Sequence, residues 1–163
     1  MRTEKDVEAY LLRSNRRFRA VDNARSERGY EQDEAGTRTF VVDSGDRRPP
    51  VAVLVDPPLV VVRVHVGDLV AEGNGSAAQT ALFRKLLELN ARQLVHANYG
   101  LEDAHVVLSS ALELENLDFN EIQATLDEID VALAQQLPII TETAQGGLRT
   151  HLSPAGAPST GPA

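Results

Sequence analysis

At 163 residues, with 42% hydrophobic and 25% charged side chains, the chain has the length of one domain and an ordinary globular balance. It has no cysteine, which excludes disulfide staples, thiolate metal centres and a cysteine nucleophile. The net charge of −8 is uneven, with 11 basic and 10 acidic groups in residues 1–48 against 5 and 14 in the remainder, so contact with a phosphate backbone is confined to the first third.

The opening MRTEKDVEAY is charged from its second residue and carries no secretory-type apolar run. No stretch approaches the roughly 18 apolar residues of a membrane span, so the expected location is cytoplasmic and no membrane partner is expected. Thr3 followed by Asp6 is a helix-opening pair, and Val7, Leu11, Ser14 and Phe18 share one helical face, predicting a helix to about Arg19. Residues 22–37 have little periodicity and two glycines, and are expected to form a loop.

Three runs rich in β-branched residues follow, Arg38–Asp43, Val51–Asp56 and Leu59–Val66, joined by proline- and glycine-containing turns; they predict an antiparallel meander. In the third, Val60, Val62, Val64 and Val66 take the core face, leaving Leu59, Val61, Arg63 and His65 on the wetter one. A second helix from Ala77 to about Leu94 is apolar over more than a narrow stripe, which suggests contact on two sides and a dimer interface at Leu82, Phe83, Leu86 and Leu87. Val95–Leu101 and Ala104–Leu112 make a hairpin if Glu102 and Asp103 form the turn, with Tyr99 opposite Val106. Asp118 and Glu121 cap a third helix whose Phe119, Ile122, Leu126, Ile129, Leu133 and Leu137 repeat at helical spacing until Pro138.

The predicted order is therefore helix, three-strand antiparallel meander, helix, β-hairpin, helix. This is an α+β domain over residues 1–141, with 142–163, rich in Gly, Pro, Ser, Thr and Ala, expected to be a disordered tail.

No catalytic constellation emerges. His65, His96 and His105 fall on the outer sheet face, with His96 and His105 held apart by the hairpin, and no zinc doublet of the HExxH kind occurs. Asp118 and Asn120 open like a calcium loop, but Ile122 and Gln123 stand where an oxygen ligand and a glycine belong. Gly73, Gly75 and Ser76 precede the second helix without the lysine of a phosphate-binding loop, and no GxSxG element is present. These readings assign no metal ligand, no cofactor and no catalytic residue. The arginines at 13, 16, 17 and 19 form one basic cluster, able to meet nucleic acid or to serve the domain's own acidic surface.

The segment from LFRKLLELNARQLVHANYGLED through HVVLSSALELENLD to the closing helix that stops at Pro138 resembles the second half of the YbjN and Tir-chaperone-like families, and residues 3–138 follow the element order of their type III secretion chaperone-like fold. That resemblance implies a compact protomer that dimerises and binds an extended protein segment without nucleotide. The expected function is a non-catalytic, homodimeric module for a protein or extended peptide, with Val7, Leu11, Phe18, Val61 and Val107 as its partner-binding candidates. The alternatives are a small-ligand or metal-binding protein using the outer-face histidines, and a nucleic-acid adaptor using Arg13 to Arg19.

Overall fold

The computed structural model describes residues 2–22, 37–45, 47–71 and 76–150. It contains α1 (Glu4–Arg13), β1 (Phe18–Asp22), β2 (Arg38–Val42), β3 (Val51–Asp56), β4 (Leu59–Leu69), α2 (Ala77–Arg92), β5 (Asn98–Glu102), β6 (His105–Glu113), α3 (Phe119–Gln135), α4 (Leu137–Ala144) and β7 (Leu148–Thr150). The strands form one antiparallel sheet in the order β1-β2-β3-β4-β6-β5, with β7 pairing the far end of β4. The α+β class and the expected order of its central elements hold. The loop reading of residues 22–37 and the Gly73–Gly75 stretch fall almost wholly outside the described residues.

Strand alternation sorts the sheet into two faces. Phe40, Val53, Val60, Val62, Val64 and Leu108 are all sealed from solvent, and the helices' Leu82, Ile122, Leu126 and Ile129 join them in one apolar cluster. Burying that area supplies the main driving force for folding. The predicted partition of β4 is borne out, since Val60, Val62, Val64 and Val66 are buried and Val61, Arg63 and His65 are half-exposed.

Three expectations are corrected. The first helix stops at Arg13 rather than Arg19: Asn15 adopts a left-handed φ of 56°, which breaks helical continuity, and Ser14 Oγ donates to the Leu11 carbonyl. Phe18 therefore belongs to β1, where it lies opposite Val42 and packs edge-on against Phe40 with ring centroids 5.8 Å apart. The β5–β6 turn lies at Asp103–Ala104, with Asp103 at φ 52°, so Tyr99 faces Leu108 instead of Val106. Finally, ordered chain continues beyond 141. Pro138 enters the first turn of α4, where a missing N–H costs nothing, instead of ending the helical region. Ile140, Ala144 and Leu148 are buried and carry the chain into β7. Residues 151–163 lie outside the described residues.

Between the sheet and the α3–α4 junction, Tyr99 donates its hydroxyl to Gln136 Oε1 at 2.8 Å, and burial pushes its phenol well above the ordinary value of 10.0. The folded state thus retains that proton where the unfolded chain has lost it. Stability from this group is complete below about pH 10 and falls as pH rises toward the raised value. The expected result is an alkaline loss of melting temperature that Tyr99→Phe makes shallower; a Phe variant with the wild-type alkaline slope would show that Tyr99 is not the group responsible.

Candidate functional site

The second face of the sheet carries the other half of each alternation. Cross-strand register places Thr39, Leu54, Val61 and Ala111 in one row and Val41, Ala52, Arg63 and Ser109 in the next. Leu54, Val61 and Val41 are half-buried, each screened by its neighbours in the sheet. The resulting surface is a shallow apolar band across β2, β3, β4 and β6, with a polar corner at one end.

The structure divides the predicted partner-binding residues. Val7 and Leu11 are fully buried in the core, Phe18 is half-buried against it, and Val107 retains 7% exposure on the outer face. Val61 alone of the five stands half-exposed on the band. Leu54 and Val41 join it there; strict alternation in β2 and β3 was the signal that could have found them. Of the predicted dimer residues, Leu82 and Leu86 are core, Phe83 packs partly against the core, and Leu87 is 67% exposed on α2. The breadth of the apolar α2 surface is thus met mainly from within the chain, including by α4, which the sequence reading had not placed.

Two of the four arginines of the basic cluster are engaged within the domain. Arg16, whose side chain is 15% exposed, pairs with both Asp127 and Asp130 of α3, and the Arg13 guanidinium sits 4.0 Å over the Phe119 ring. These contacts tie the α1–β1 connection to α3, leaving Arg17 and Arg19 as exposed members of the cluster.

At the polar corner, β4 bulges. The register with β6 runs His65 to Val107 and then Gly67 to Val106, so Val66 is the extra residue. In an unbroken strand, residues three apart point to opposite faces; the bulge places His65 and Asp68 on the same one. His105 lies directly opposite Asp68 at the start of β6. His65 Nε2 and His105 Nδ1 lie 2.7 and 2.5 Å from the same Asp68 Oδ1, with ring centroids 4.8 Å apart. A carboxylate oxygen only accepts, so both imidazoles present N–H to it. His96, the third predicted outer-face histidine, is exposed in the α2–β5 connection and is not one of this group. Arg63, next along the face, is ion-paired with Glu102, and Arg149 stands opposite Asp68 across the β7 ladder.

Gly67 permits this corner to form. A Cβ there would lie 2.7 Å from the Arg149 carbonyl oxygen, inside backbone contact distance. Gly67→Val is expected to detach β7 and cost about 2 kcal/mol, as overpacking does, visible as faster amide exchange at Val70, whose N–H donates to the Gly147 carbonyl at the entry to β7 at 2.9 Å. Unchanged exchange there would mean that β7 tolerates the side chain.

The fold can now be placed among known proteins. The family model CesT_Tir_1 matches residues 1–146. The chain belongs to the CesT_Tir_1 family. That family has a chaperone-type, protein-binding fold. The crystal structure of YbjN from E. coli, described as a candidate transcription regulator, superposes with a TM-score of 0.50 at 11% identity, covering 88% of this chain and 93% of that one. At that identity the likeness shows the fold alone. No curated protein matches the chain. Among the described residues no helix is long and apolar enough to cross a membrane.

Proposed function

We propose that this CesT_Tir_1 chain is a non-catalytic, chaperone-type module that binds an extended segment of a partner protein and acts as a homodimer in the cytoplasm. The observation that carries the reading is the half-exposed apolar band of Val41, Leu54 and Val61, on a chain whose family fold binds proteins. An extended segment suits such a surface because its alternate side chains reach shallow apolar positions while its backbone remains free to pair at a sheet edge. No reactive group is required, and the row of Thr39, Leu54, Val61 and Ala111 offers only aliphatic and hydroxyl side chains.

For dimerisation, Leu87 is the α2 side chain whose exposure is otherwise unexplained, and its 67% exposure makes it a contact that costs the protomer nothing to alter. Light scattering on the full chain is expected to give a dimer that Leu87→Glu converts to a folded monomer. A wild-type monomer, or a dimer that survives Leu87→Glu, contradicts that interface.

The binding reading is tested by fluorescence anisotropy with a panel of labelled, extended apolar peptides. Saturable binding is expected, weakened at least tenfold by Val61→Asp and unchanged by Leu12→Asp on the exposed side of α1. Absence of saturable binding across the panel, or equal affinity for the Val61→Asp protein, would remove the band as the site. Of the alternatives, the nucleic-acid reading loses support from the pairing of Arg16 and Arg13 within the domain.

A further inference from the structure

The structure assigns His65, Asp68 and His105 as a divalent transition-metal site, with zinc as the ion that best suits the donor set. The three contribute ligand atoms that all lie within 4.8 Å of one another. Zinc holds imidazole nitrogen and carboxylate oxygen at about 2.0–2.2 Å, which places tetrahedral ligand atoms about 3.3 Å apart. The present separations of 2.7 and 2.5 Å from Asp68 Oδ1 bracket that arrangement from below, and the outer limit of 4.8 Å brackets it from above. Small rotations of three part-exposed side chains therefore suffice.

The donor chemistry is specific. Two imidazoles and one carboxylate are borderline ligands that favour zinc, nickel, copper or iron over calcium and magnesium, which prefer all-oxygen shells. As the side chains stand, each ring presents an N–H toward Asp68. Binding needs the proton of each neutral ring to move to its other nitrogen, leaving a lone pair directed at the ion.

The backbone is built to hold the set. The bulge at Val66 turns Asp68 toward His65, the β6 ladder sets His105 opposite Asp68, and β7 pairs Asp68 from its other edge through Arg149. The Leu69 amide also donates to the Ala104 carbonyl at 2.7 Å, fixing the entry to β6 beside the histidine. Positive charge at Arg63, which would oppose a cation, is paired by Glu102. Three protein ligands leave at least one coordination position for water or another donor, the open form of a zinc site. The assignment stands apart from the protein-binding reading and survives its failure.

Isothermal titration of the full chain with zinc at neutral pH tests it. The expected result is one ion per chain, with affinity reduced at least tenfold by each of His65→Ala, His105→Ala and Asp68→Asn, and unchanged in His96→Ala. Zinc is also expected to raise the melting temperature of the wild type more than that of Asp68→Asn, and cobalt in place of zinc to give a visible absorption band that Asp68→Asn alters. Should an alanine variant fail to fold, Asp68→Asn, which keeps the side chain's size, decides. No saturable zinc binding, binding that persists in both histidine variants, or binding lost in His96→Ala would each overturn the site.

Discussion

Replacing Leu11 with Ala is expected to destabilise the fold by about 3 kcal/mol, within the usual range for emptying a buried leucine site. Leu11 is fully buried, shares the inner face of α1 with the equally buried Val7, and belongs to the same apolar cluster as the sheet's inner face. Its loss removes transfer energy and leaves a cavity that β-strand and helix backbones on both sides cannot readily fill. Urea unfolding measures the effect as a lower midpoint at an unchanged slope. This variant also separates two roles for α1: peptide affinity of the folded protein should match wild type. A loss below 1 kcal/mol accompanied by lost peptide binding would make the α1 face a binding surface instead.

Glu128→Ala is expected to cost a similar amount, about 3 kcal/mol, because one carboxylate accepts three backbone hydrogen bonds and charge-assisted bonds are the stronger kind. Glu128 Oε1 takes the Val95 amide at 2.8 Å, and Oε2 takes the His96 and Ala97 amides at 2.7 and 2.8 Å. These bonds pin the connection from α2 to β5 against α3. Without the carboxylate, the part-buried Ala97 amide loses its acceptor, and the start of β5 loosens. Glu128→Gln should recover part of the loss, since it keeps one acceptor oxygen but replaces the other with a donor. Hydrogen exchange provides the local readout, with amides 95–97 accelerating far more than those of β3. Stability within 0.5 kcal/mol of wild type would show that water replaces the carboxylate at no cost.

Elements whose periodicity is set by burial were legible in the sequence. β3 matches its predicted bounds because the buried Val51, Val53 and Val55 alternate cleanly with the more exposed Ala52, Leu54 and Asp56, and α3 follows from the recurrence of Ile122, Leu126, Ile129 and Leu133 together with the Asp118 cap, whose side chain accepts the Glu121 amide. β1 was hidden because Phe18 lies seven residues after Leu11 and fits a helical face as well as a strand; the left-handed Asn15 that separates them leaves little trace in composition. The hairpin register escaped for a different reason. A slip of two residues keeps every side chain on its own face, so alternation cannot distinguish Tyr99 opposite Val106 from Tyr99 opposite Leu108. β7 was missed because Leu148 is a single large apolar residue among glycine and polar neighbours, and its partner strand is about eighty residues distant in sequence.

The candidate sites show the same limits. The apolar band required the cross-strand register of β2, β3 and β4, which aligns Thr39, Leu54 and Val61. The histidine–aspartate corner required the bulge, because simple alternation sends Asp68 to the inner face while His65 faces out. Val7 and Leu11 illustrate the reverse problem: an amphipathic helix has the same pattern whether its apolar stripe meets the protein's own sheet or a partner.

Nuclear magnetic resonance mapping with an isotope-labelled full chain and a saturating apolar, extended peptide tests the central claim most directly. Shifts are expected on amides around Val41, Leu54 and Val61, with α1 amides around Val7 and Leu11 unmoved. Shifts centred on α1, or none at saturating peptide, would contradict it.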